Sequence, residues 1–127
     1  MTTREGTARS FSGHRFSEAY PSLAEDVRWD IVGGPIVVGK QAVIDICQDT
    51  LNQLVGTSTE FTKFRTVVGD VSVVVDSTGE YHGPDGSTSV VASCDIFDFA
   101  DDLVVSITSY TTELSGEDQA HPPASME

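Results

Sequence analysis

One carboxylate stands in the middle of an otherwise apolar run. Residues 91–99 alternate as a strand does, and one face collects Val91, Ser93, Asp95, Phe97 and Phe99. Aspartate is a poor strand former, and an anion among phenylalanine rings is costly. The carboxyl of Asp95 is therefore expected to hold its proton to higher pH than usual. A neutral carboxylic acid donates a hydrogen bond to a ligand oxygen, which a carboxylate cannot do. His82, beside Gly83-Pro84, is a candidate proton carrier, since an unperturbed imidazole titrates near neutral pH. His14 and His121 lie in or near the polar ends of the chain and are given no role. No Ser-His-Asp order, phosphate-binding loop or metal-ligand spacing occurs, so neither a metal nor another cofactor is expected.

The elements that must position these residues fit one domain. The chain has 127 residues, with 7 Lys+Arg against 20 Asp+Glu and a net charge of −13. That balance argues against nucleic acid or an anionic membrane as partner, since both need a basic surface. No stretch approaches the roughly 20 apolar residues of a membrane span, and the arginines near the start have no apolar run behind them, unlike a secretory signal. Cys47 and Cys94 sit singly in apolar segments and are expected to be buried thiols of a cytoplasmic protein. Residues 1–13 and 115–127 are polar, without period, and are expected to be flexible tails around a domain spanning 14–114.

Within that domain a short helix is expected around Phe16–Leu23, limited by Pro21, and then the strand 27–32. A second helix, about 40–55, carries Val43, Ile44, Cys47 and Leu51 on one stripe and ends at Gly56. Four long strands follow, at 59–68, 71–81, 87–99 and 103–114, which makes an α+β fold. So little helix cannot cover four such strands. The face bearing Ala92, Cys94 and Ile96 is expected to pair with a second copy of the chain as a homodimer.

The segment Val90-Val91-Ala92-Ser93-Cys94-Asp95-Ile96-Phe97-Asp98-Phe99, followed by a turn and Val104-Val105-Ser106, resembles the penultimate strand and final hairpin of the ketosteroid isomerases. Leu23-Ala24-Glu25-Asp26-Val27-Arg28-Trp29, then a Gly/Pro loop and Gly39-Lys40-Gln41-Ala42-Val43-Ile44, is similar to the pattern of the wider nuclear transport factor 2-like superfamily, shared by SnoaL-like polyketide cyclases. The likeness covers about residues 16–113. It implies a cone, in which a strongly curved antiparallel sheet and N-terminal helices enclose a pocket, usually in homodimers paired through the sheet. It also implies that Asp95 takes the place of the protonated acid in the isomerase's oxyanion hole.

Other parts of the family patterns have no counterpart. The position of the isomerase's base falls on Ile31, and Asp30, one residue away, faces the opposite side of the strand unless a bulge intervenes. The second donor, a tyrosine on an earlier helix, would fall within residues 1–13, which contain none. Tyr20 and Tyr110 are the candidate donors from other positions, and the resemblance implies a ligand wall that includes Trp29, Ile31, Phe97 and Ser109. The late-strand aspartate of SnoaL-like cyclases is absent from Ser106-Ile107-Thr108-Ser109-Tyr110-Thr111, and the Asp-Arg-Asp set of epoxide hydrolases on this fold is absent around Arg65. Two functions are expected. One is an isomerase or cyclase acting on a small hydrophobic carbonyl compound, steroid- or polyketide-like, with Asp95 as oxyanion donor and Asp30 or His82 moving the proton. The other is a dimeric binding or accessory domain that holds such a molecule without turning it over.

Overall fold

The computed structural model describes residues 3–114. Helix α1 (Arg4–Ser12) leads into a single turn, α2 (Phe16–Ala19), and a 3-10 turn over Tyr20–Ser22. Strands β1 (Leu23–Ile31) and β2 (Ile36–Val38) precede helix α3 (Lys40–Gln53). Strands β3 (Ser58–Val68), β4 (Ser72–His82), β5 (Thr88–Ala100) and β6 (Leu103–Leu114) complete the chain. All six strands form one sheet in the order β2-β1-β6-β5-β4-β3. This is the expected α+β architecture, a curved sheet whose inner face is closed by the N-terminal helices.

Neighbouring strands are antiparallel except β1 and β6, which run parallel. That pair places β6 between β1 and β5, so Ser109 lies opposite both Ile31 and Asp95. Register shifts in β1 (between Leu23 and Arg28), β3 (between Phe61 and Lys63) and β5 (between Asp98 and Phe99) mark bulges, which bend strands and supply the curvature.

The expectation of a flexible lead-in over residues 1–13 is corrected over its described part, residues 3–13. Residues 4–12 form α1, and Thr7, Ala8, Ser10, Phe11 and Ser12 are buried against the sheet. Thr3 caps the helix, its Oγ1 accepting from the Gly6 N–H at 2.9 Å. Glu5 in the first turn and Arg9 in the last suit the helix dipole. The inward stripe is mostly small and hydroxylated, which is why it has no apolar period, yet it carries one large anchor. The Phe11 ring meets Phe16, Trp29 and Phe97 edge to face, with centroids 5.1, 5.1 and 5.6 Å apart. The expected tail 115–127, with His121, lies outside the described residues.

Helix α3 follows its stripe, with Val43 and Cys47 fully buried and Ile46 and Leu51 half-buried. Burial pushes the Cys47 thiol up to about 12. Cys94 departs from expectation: it is only half-buried, on the outer sheet face with Ala92 and Ile96. No helix among the described residues is long and apolar enough to cross a membrane. Because Phe11 links α1 to the core, Phe11→Ala should cost about 3–5 kcal/mol in urea unfolding; an unchanged midpoint would be the behaviour of a free tail.

Candidate functional site

Between α1 and the inner face of the sheet lies a cavity of about 200 Å³. Its wall is aromatic and apolar over Phe11, Phe16, Trp29, Ile31, Phe61 and Tyr81, and its polar side chains are Asp95, His14 and a few hydroxyls. Gly79 makes this room. A Cβ there would stand 3.2 Å from the Tyr81 ring and 3.3 Å from that of Phe61.

Asp95 is partly buried at the centre of the wall, with both carboxyl oxygens engaged. Ser109 Oγ donates to Oδ1 at 2.6 Å and Ser12 Oγ donates to Oδ2 at 2.7 Å. The Trp29 indole N–H donates to Ser109 Oγ at 2.9 Å. An indole can only donate, so the Ser109 proton is committed to Oδ1. A proton taken up by Asp95 therefore goes to Oδ2, where Ser12 can reverse and accept. Burial lifts the Asp95 carboxyl above its ordinary range, while the hydrogen bonds from Ser109 and Ser12 and the charge of His14 pull it part of the way back.

His14 faces the same cavity and packs against the rings of Phe16, Phe61 and Tyr81, with centroids 5.6–5.9 Å away. Its backbone is left-handed, φ 65°. That turn closes the end of α1, with the Gly13 N–H on Arg9 O and the Arg15 N–H on Ser10 O. Burial lowers the imidazole, against the opposing pull of Asp95. Tyr81 is raised by burial and then by the Asp95 charge, and remains a phenol donor.

Of the residues singled out in the sequence, Asp95, Trp29, Ile31 and Ser109 line this cavity. The others do not. Asp30 lies on the opposite side of β1 from Trp29 and Ile31, because the β1 register shift falls before Arg28 and leaves the later alternation intact. His82 ends β4 on the outer face, with Nδ1 3.2 Å from Thr88 Oγ1 and Nε2 3.6 Å from Glu80, and His82, Glu80 and Glu60 cluster outside the cavity. Tyr110, one residue beyond Ser109, is turned outward and 49% exposed. Tyr20 sits over α3, its hydroxyl accepting from Gln48 Nε2 at 3.1 Å. Phe97 shares the face of Asp95 but is fully buried in the core, with the Phe11 ring edge to face on it. Arg65 pairs with Asp76 at 3.2 Å, also away from the cavity.

The residues missed by sequence reasoning are His14, Ser12, Phe11 and Tyr81. The first three were hidden by reading 1–13 as a tail and discounting His14 beside it. Tyr81 carried a usable signal, since it lies in the strand paired with that of Asp95, on the same face as Ser77 and Gly79.

The sequence model of the SnoaL-like domain matches residues 5–107, and the chain belongs to that family. Among curated proteins none matches it. A nuclear transport factor 2-like protein of unknown function from Cytophaga hutchinsonii is 28% identical and superposes with a TM-score of 0.73 over 85% of this chain and 98% of that one. A candidate polyketide cyclase from Xanthomonas campestris is 19% identical, with a TM-score of 0.66 over 82% and 83% of the two chains. A candidate isomerase from Bacillus subtilis is 16% identical, with a TM-score of 0.65 over 84% of each. The last two likenesses show the shared fold.

The displaced titrations have opposite signs in stability. The contribution of Asp95, raised in the folded state, is complete below the ordinary carboxylate value and is lost as pH rises through the raised one. That of His14, lowered on folding, is complete above the ordinary imidazole value and is lost as pH falls through the lowered one. Asp95→Asn keeps an acceptor for Ser109 and offers a donor to Ser12. In urea unfolding from about pH 3 to about pH 8, this variant should gain stability on the wild type as pH rises. A difference that does not change with pH would show that Asp95 is not displaced.

Proposed function

We propose that the cavity binds a small, largely apolar molecule through a carbonyl oxygen, and that His14 and Asp95 move a proton beside that carbonyl. One observation carries this reading: a desolvated carboxyl with both oxygens held by serines shares an aromatic cavity with a desolvated imidazole. Buried carboxyls and imidazoles displaced toward each other are the usual equipment of acid-base sites. The description of two structural neighbours as a candidate polyketide cyclase and a candidate isomerase is consistent with it.

At about 200 Å³ the cavity is smaller than the roughly 300–1,000 Å³ of typical drug-sized ligand sites. It suits one ring bearing the reacting carbonyl better than a four-ring steroid. With a β,γ-unsaturated ketone bound, neutral His14 takes the proton on the carbon between the carbonyl and the double bond. The electron pair moves onto the carbonyl oxygen, where the protonated Oδ2 of Asp95, or the Tyr81 hydroxyl, donates a hydrogen bond. His14 then returns the proton to the γ carbon, and the double bond becomes conjugated. The same proton abstraction starts the carbon–carbon bond formation of a cyclase. His14 and Tyr81 thus stand in for the base and the phenol that the family patterns place elsewhere.

Conversion of 3-cyclohexen-1-one to its conjugated isomer, followed by ultraviolet absorbance, tests the proposal. The wild type should accelerate it over buffer. His14→Asn, chosen because asparagine tolerates the left-handed turn, should lower the rate about 10²–10⁴-fold. Asp95→Ala should lower it about 10²–10³-fold, and His82→Asn should leave it unchanged. Quenching of Trp29 fluorescence by the ketone without turnover would reduce the site to a binding pocket, and absence of both would overturn the reading.

A further inference from the structure

A second hollow, of about 330 Å³, adjoins the first. Leu54, Thr57, Gly83, Ser87 and Ser89 line it alone, while Tyr81 and Val91 belong to both. The two are one trough in the geometry of the sheet. On β5 the inward row runs Asp95, Ser93, Val91, Ser89, and on β4 its partners are Ser77 opposite Ser93, Gly79 opposite Val91 and Tyr81 opposite Ser89. From Asp95 to Ser89 this row extends about 20 Å at 3.3–3.4 Å per residue. Serine and glycine keep the floor low, and Tyr81 with Val91 forms the step between inner and outer parts.

None of the residues lining the outer hollow is charged, and the chain as a whole carries −13. Nothing there would neutralise a phosphate or carboxylate, and the field of the protein repels one. Leu54 and Val91 offer apolar contact, and three hydroxyls tolerate an occasional polar group.

We infer that the site is bipartite: the outer hollow takes an uncharged, mainly apolar extension of the same molecule whose oxygen-bearing ring meets Asp95 and His14. This rests on the proposed function and deepens it. The substrate class becomes ring ketones carrying a neutral chain or second ring opposite the carbonyl, and acids or phosphate-linked thioesters are excluded. Tyr81 and Val91 set how wide that extension is where it crosses the step.

Phenol and its 4-ethyl, 4-butyl and 4-hexyl derivatives test this without turnover, since the phenol oxygen imitates the enolate and the alkyl chain enters the trough. By isothermal titration calorimetry each methylene reaching the outer hollow should tighten Kd about threefold to fourfold. Ser89→Phe should abolish that increment while leaving Kd for phenol within about twofold, the small change expected of a residue outside the inner cavity. Thr57→Phe, from the opposite wall, serves the same purpose if the first variant fails to fold. A series flat in chain length with phenol still bound overturns the bipartite site alone. An increment that persists in both variants does the same, because the chain is then binding elsewhere. Failure of phenol itself to bind overturns the proposed function and this inference with it.

Discussion

The arrangement depends on one desolvated carboxyl being fully hydrogen-bonded. Asp95 lies on the inner face of a curved sheet, where an unpaired charge is destabilising. Its partners come from different parts of the chain: Ser12 from the end of α1 and Ser109 from the adjacent strand β6, with Trp29 on β1 orienting Ser109. Hydrogen bonds to charged groups contribute roughly 1.5–3 kcal/mol each, and leaving such a group unmade costs more. The Asp95 network therefore fastens α1 over the cavity as well as furnishing its chemistry. No buried side-chain nitrogen or oxygen among the described residues lacks a partner, so the polar content of the inner face is matched throughout.

The end of α1 serves both purposes. His14 adopts a left-handed backbone that costs a non-glycine residue roughly 1–2 kcal/mol. Three backbone hydrogen bonds that close the helix, one of them from the His14 N–H to Phe11 O, and three aromatic rings around the imidazole hold it there. Backbone strain kept at a residue that faces a cavity is common where the side chain has work to do. Glycine at this position would relax the turn and remove the imidazole.

Much of this was legible in the sequence. The alternation of residues 91–99 placed Asp95 on the inner face, and the same parity on β1 put Trp29 and Ile31 inward and Asp30 outward. Parity also accounts for Ser109 inward and Tyr110 outward on β6, so only the first of the two can be a ligand contact. Phe97 satisfied parity but not depth, because it lies inside the core cluster, where the Phe11 ring of α1 packs on it. That helix was the main omission. Its buried stripe of Thr7, Ala8, Phe11 and Ser12 is too small and polar to give an apolar period, since its partner is a sheet face already carrying large rings. What marked it were its ends, namely the cap at Thr3, Glu5 early, Arg9 late and Gly13 after. With α1 unread, Ser12 and His14 could not be placed, and the base was sought at Asp30 and His82.

The central claim is that Asp95 is a desolvated acid able to donate to a ligand oxygen. The direct measurement is the pH titration of its carboxyl carbon by NMR, in the wild type and in Ser109→Ala. The account predicts that in the wild type the carbon titrates above the ordinary carboxylate range. It predicts a higher value still in the variant, because the loss of the Ser109 hydrogen bond removes a contact that favours the anion. A wild-type carboxyl titrating at or below the ordinary value, unmoved by the loss of Ser109, would contradict it.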